Sequence, residues 1–172
     1  AHWAAVIRAV RDGLPDSVVE VLTPDFQGVT SQIDTVLDAG PHVFNHNMEV
    51  VESLYRTIQP QKHYARSLQV LRYAKQRSPQ ITSKSGLMVG LGETRAELSH
   101  TMRDLKACNV DMLTVGQYLK PEPGLAEVVR YLPPEEFAEI KQEALELGFS
   151  KVAAGPFVRS SYNAKEQFIG TA

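Results

Sequence analysis

Lys84-Ser85-Gly86-Leu87-Met88-Val89-Gly90-Leu91-Gly92-Glu93-Thr94-Arg95-Ala96-Glu97 changes its local preference twice within one short stretch. Lys84 to Val89 predicts a buried strand that exits at Gly90-Leu91-Gly92. Thr94-x-x-Glu97 then has the spacing of a capping box, in which each side chain satisfies the other residue's free backbone N–H at a helix start. The helix runs to about Ala107, and Met112-Leu113-Thr114-Val115 predicts the next strand. Strand, short loop, helix and strand in succession make a βαβ unit, whose strands must be parallel.

The same alternation extends in both directions. Upstream, Ala1 to Arg11 carries Trp3, Val6, Ile7 and Val10 at helical spacing, with no cap or loop ahead of it, as though the element began earlier. Val18 to Thr23 is a β-branched run suited to a strand. Val29, Ile33, Val36 and Leu37 predict a helix stopped by Gly40-Pro41, and a strand follows at His42 to Asn45. Tyr64 to Gln76 predicts another helix, broken by Ser78-Pro79. Downstream, Pro133-Pro134 precedes a helix with Phe137, Ile140, Ala144 and Leu147 on one face and Gly148 at its C-terminal cap. Lys151 to Ala154 is a last strand candidate. Four or five such units point to an α/β fold around a parallel sheet, where ligand-binding groups gather at the carboxyl ends of the strands.

Composition narrows the function classes. The 172 residues are 43% hydrophobic and 22% charged, as in an ordinary globular domain, and a formal net charge of -2 gives no electrostatic case for nucleic acid or an anionic membrane. No apolar run is long enough to span a bilayer and no signal-peptide pattern opens the chain, so a cytoplasmic compartment is expected. The one cysteine, Cys108, sits in the last turn of a helix and reads as a small buried hydrophobe; alone it cannot hold a cluster or a structural zinc.

Polar residues concentrate at the expected strand ends. Asn45-His46-Asn47 with Glu49 follows the second strand; it reads as a ligand-binding cluster or as a turn and helix cap. Gly90 and Gly92 would let backbone approach a ligand closely, with Glu93 and the helix start beside it, although the dinucleotide fingerprint lacks its third glycine. Gln117, at the fourth strand's rim, could read a polar ligand group or merely cap the barrel. Arg159-Ser160-Ser161-Tyr162 combines a cation, two hydroxyls and a phenol. No catalytic triad, zinc motif or phosphate loop stands out, and His46 is the histidine of interest because it lies in the densest polar cluster.

Taken together, five blocks in order resemble lipoyl synthase: Val21 to Phe26, Phe44 to Glu49, Lys84 to Glu93, Gly116 to Leu119, and Gly155 to Tyr162. The resemblance implies a partial (β/α)6 barrel of the radical S-adenosylmethionine type, its first strands and both cysteine motifs lying upstream of Ala1. It divides the chain into barrel over 1–158 and a tail over 159–172. It implies a sulfurtransferase that inserts two sulfur atoms at C6 and C8 of a protein-bound octanoyl group. One 4Fe-4S cluster would cleave S-adenosylmethionine to a hydrogen-abstracting radical, and a second, auxiliary 4Fe-4S cluster would supply the sulfur. Its implied partners are octanoylated carrier domains (2-oxoacid dehydrogenase E2 subunits and the glycine cleavage H protein) and a reductant such as ferredoxin or flavodoxin.

Carried over residue by residue, Asn45, Asn47, Glu49, Gly90, Gly92, Glu93 and Gln117 become cofactor-binding candidates, Lys84 and Arg159 catalytic or orienting candidates, and Ser161 the iron ligand, with Ser160 second. Without the cysteine motifs these 172 residues alone are expected to be inactive. Two other readings are a metal-free barrel lyase using Lys84 for Schiff-base chemistry and a non-catalytic half-barrel that binds an acyl-carrier domain.

Overall fold

The computed structural model describes residues 2–161. It contains the five expected strands: β1 (Glu20–Leu22), β2 (Val43–Asn45), β3 (Thr82–Val89), β4 (Met112–Gln117) and β5 (Lys151–Gly155). Six helices accompany them: α1 (His2–Gly13), α2 (Thr30–Leu37), α3 (Tyr55–Ile58), α4 (Tyr64–Arg77), α5 (Arg95–Ala107) and α6 (Pro134–Glu146). The sheet order is β1-β2-β3-β4-β5 and every pair is parallel. Parallel strands that never reverse their spatial order have no switch point and take their crossovers on one face, which makes them the wall of a (β/α) barrel rather than a doubly wound sheet.

Side-chain alternation then fixes the two faces. Val21, Phe44, Leu87, Val89, Leu113 and Val115 pack with helix residues such as Ile33, Leu71, Leu98, Leu105, Phe137 and Ile140 in the core. The opposite parity carries Glu20, Asn45, Lys84 and Thr114 among the apolar Val43, Met88 and Met112, with glycine at 86 and 116, so the inner face mixes polar groups with points of close approach.

Local chemistry sets the boundaries. The capping box forms: Glu97 N–H donates to Thr94 Oγ1 at 3.2 Å and Thr94 N–H to Glu97 Oε2 at 2.8 Å. A hydrogen bond from Ser53, with those from the Thr94 backbone N–H and hydroxyl, holds the Glu97 carboxyl below its ordinary pKa. Gly148, one residue past the α6 cap at Leu147, has φ +94°, the left-handed conformation that ends helices cheaply in glycine. The helical segment over residues 52–58 lacks a counterpart in the sequence reading, being too short for a repeating apolar pattern.

Candidate functional site at the carboxyl ends of the strands

Past β2 the chain gains one residue on its neighbour. Asn45 pairs with Lys84, but Glu49 bridges Leu87, so four steps on one side match three on the other. This is a bulge, and Glu49 adopts φ +71° within it. The bend carries Asn47 over β3, where only a glycine leaves room: a Cβ at Gly86 would stand 2.8 Å from Asn47 Oδ1 and 2.9 Å from Thr114 Oγ1. A cavity of about 220 Å³ opens here, lined among others by Asn47, Glu49, Met88, Thr114, Gly116 and Arg159.

Three groups give that cavity its chemistry. Asn47 Nδ2 donates to Ser160 Oγ at 2.8 Å, while Asn47 Oδ1 is buried without a protein partner. A buried acceptor left open is rare and calls for a donor from a ligand or water. Glu49 adds a carboxylate, only loosely balanced by Lys62 at 3.8 Å. Arg159 adds a cation whose hydrogen bonds go to carbonyls, at 2.9 Å to Val158 O and 3.4 Å to Gln117 O.

Beneath the cavity, Lys84 is fully buried. Its ammonium lies 3.1 Å from both Glu20 oxygens and 2.5 Å from the carbonyl oxygen of Ser160. Asn45 Nδ2 donates to the same Glu20 at 2.9 Å. All three lysine hydrogens thus have acceptors, which leaves no lone pair free to attack a carbonyl and disfavours the Schiff-base reading. Glu20 carries this network and escaped the sequence reading. A lone carboxylate inside a β-branched run was the available signal, because a buried charge needs an opposite partner.

His46 is fully buried beside the site; its Nδ1 faces Thr23 O at 2.9 Å and its Nε2 has no partner. Burial holds its pKa below the ordinary value.

The expected site residues separate into groups. Asn47, Glu49, Gln117 and Arg159 line the cavity, while Asn45 and Lys84 lie in the polar network under it. Gln117 shares its parity with Leu113 and Val115, and its amide tethers a loop: Nε2 donates to Arg130 O at 3.0 Å and Oε1 accepts from Leu132 N–H at 3.0 Å. Glu93 folds back on its own glycine loop, accepting from Gly90 N–H at 2.7 Å and Leu91 N–H at 2.9 Å, so its carboxylate supports that turn away from the cavity lining. Gly90 and Gly92 have φ +95° and +108°, and a side chain at Gly90 would overlap Gln117 Nε2 and Arg130 O. Ser161 is exposed and stands outside the lining, next to the engaged Ser160. Of the 159–172 tail, Tyr162 and the residues after it lie outside the described residues.

Among the described residues no three or more His, Cys, Asp and Glu side chains are grouped to hold a metal ion. Cys108 is buried in the helical layer, where burial raises its thiol pKa. No helix among them is long and apolar enough to cross a membrane.

A parallel barrel wall with a cavity at its carboxyl end, lined by an amide, a carboxylate and a cation, defines the (β/α)-barrel class, whose ligand sites lie at this end. Its likeness to known proteins is closer than that class. The chain is 54% identical over 165 residues to the lipoyl synthase of Rubrobacter xylanophilus, covering 96% of this chain and 51% of that protein. It is 51% identical over 170 residues to the lipoyl synthase of Edwardsiella ictaluri, covering 98% and 53%. No family model matches. Among solved structures, a methylornithine synthase superposes with a TM-score of 0.62 at 15% identity over 88% of this chain and 51% of that one, a likeness of fold. The chain is thus similar to lipoyl synthases over nearly its whole length and spans about half the length of the curated relatives it matches.

Proposed function

We propose that this chain forms the cofactor-side wall of a lipoyl synthase, which inserts sulfur at C6 and C8 of a protein-bound octanoyl group. The observation that carries the reading is the buried, unpartnered Oδ1 of Asn47, a residue that lines the cavity together with Glu49 and Arg159. S-adenosylmethionine has a matching pattern: an ammonium and ribose hydroxyls that donate, and a carboxylate that accepts. Asn47 and Glu49 would take the donors and Arg159 the carboxylate, with Gly86 keeping the floor low enough for entry. When bound and reduced, that cofactor supplies the oxidising equivalent that removes hydrogen from the acyl chain. The chain's own residues position it and keep water from the reacting end.

The iron–sulfur clusters are a different matter. Two 4Fe-4S clusters are expected for the family, and the described residues contain no ligand set for either. Ser161 remains a proposed contributor of one oxygen ligand, and no step is routed through it. Octanoylated carrier domains and a small electron donor are the proposed partners, because the acyl group is presented on protein and the cofactor must be reduced.

The test is anaerobic reconstitution of the full-length protein with iron and sulfide, followed by assay on an octanoylated peptide with S-adenosylmethionine and reductant. Lipoyl product is expected, and Asn47→Ala should weaken S-adenosylmethionine binding by about tenfold, as for one lost hydrogen bond to a charged group. A full-length protein that takes up both clusters yet forms no lipoyl product would sink the reading.

A further inference from the structure

After β5 the chain does not leave the barrel. Pro156 to Ser160 turns back across the carboxyl ends of β4, β3 and β2. Val158 is buried, and its carbonyl lies so close over Gly116 that any side chain there would overlap it. Arg159 reaches the Gln117 carbonyl on β4. Ser160 is then gripped twice, its carbonyl by Lys84 of β3 and its hydroxyl by Asn47 beyond β2.

We infer that the Glu20–Lys84 pair is a positioning device: it anchors residues 156–161 as a strap over the cavity by holding the carbonyl oxygen of Ser160. Neither Glu20 nor Lys84 is itself part of the cavity lining; Lys84 reaches that lining through Ser160, which is, so the pair acts through Ser160. The physical case rests on donor counting. A fully buried ammonium needs an acceptor for each hydrogen, and Glu20 supplies two of them. The third is a backbone carbonyl, available only while the strap is seated. Opening the strap would strand a buried charged donor, so the strap's closed position is tied to an ion pair that joins β1 to β3 beneath it. Asn47 belongs to both systems: its Nδ2 holds Ser160, and the residue itself lines the cavity. Strap seating and ligand positioning are thereby joined through one side chain, the latter resting on the function proposed above.

The test is hydrogen exchange in the full-length protein, followed by mass spectrometry of peptides covering 156–161 and, as an internal reference, β3 and β4. Replacing one partner alone would leave a buried unpaired charge and endanger folding, so the informative variant is the double Glu20→Leu/Lys84→Met, which exchanges the pair for apolar side chains of similar volume. Exchange over 156–161 is expected to accelerate about tenfold or more while β3 and β4 keep their protection. The same variant of the reconstituted enzyme should form lipoyl product at least about tenfold more slowly. Unchanged exchange over 156–161 would refute the anchor. A loosened strap with undiminished product formation would refute its positioning role. Failure of the wild-type enzyme to make product would strike the proposed function instead, and the exchange comparison would still decide the anchor.

Discussion

Gly86 shows how one residue's missing side chain makes a site. Its Cβ position lies 2.8 Å from Asn47 Oδ1 and 2.9 Å from Thr114 Oγ1, closer than real contacts allow. Gly86→Ala should therefore push Asn47 off its seat. A stability loss of about 1–3 kcal/mol is expected in urea unfolding, together with weaker S-adenosylmethionine binding by the full-length protein; unchanged values in both would mean that the amide has room to spare. His46 offers a second test at this scale. Burial depresses its folded pKa, so below its ordinary pKa of 6.5 the unfolded state binds more protons than the folded one. Stability from this group is complete above pH 6.5 and falls as the pH drops from there towards the folded pKa. His46→Asn keeps a donor near the position of Nδ1, facing the Thr23 carbonyl, and removes the titration. The variant's unfolding free energy, measured from pH 7.5 to 5.5, should fall less steeply than that of the parent; parallel curves would clear His46 of the effect.

Among the elements, the strap and the strand beneath it fit through another glycine. Gly116 permits the Val158 backbone to lie directly on β4, and backbone cannot swing aside as a flexible side chain can. Gly116→Ala should lift the strap, with exchange over 156–161 rising about tenfold and the α5 capping box untouched. Loss of protection in α5 as well would point to general unfolding instead. Helices and strands were legible in the sequence because periodicity, caps and breakers are local: the Thr94/Glu97 box formed and Gly148 took the left-handed cap. Side-chain roles at the strand ends were only partly legible. Asn47, Glu49 and Arg159 could be named from their chemistry, yet Glu93 reads the same whether it binds a ligand or its own loop. Gln117 gave a different difficulty. The strand reading stopped at Val115, and two further residues of β4 place Gln117 on the parity of Leu113 and Val115. Glu20 went unnoticed because its partner, Lys84, comes 64 positions later in the chain: a carboxylate inside a β-branched run signals a buried charge but does not say which residue answers it.

Across the whole molecule, the two ends of the barrel wall divide the work. The carboxyl ends carry the bulge, the strap and the cavity they enclose, while the amino ends carry a polar knot around Asp111. One oxygen of that carboxylate accepts from Lys75 at 2.6 Å, from the Ser83 backbone at 2.8 Å and from Ser83 Oγ at 3.0 Å. Those donors tie β3, β4 and α4 together through one side chain, and in parallel barrels this end holds the fold rather than the chemistry. Asp111→Ala leaves the fully buried Ser83 N–H without its acceptor, which should lower stability by about 1–3 kcal/mol in urea unfolding. The cavity is built from other residues at the far end of β3 and β4, so S-adenosylmethionine affinity of the full-length protein should stay within about twofold of the parent, as expected of distant, independent sites. A variant as stable as the parent would show the knot to be idle. One that kept its stability but lost affinity would place the binding chemistry at the wrong end of the barrel and undo the assignment of the site.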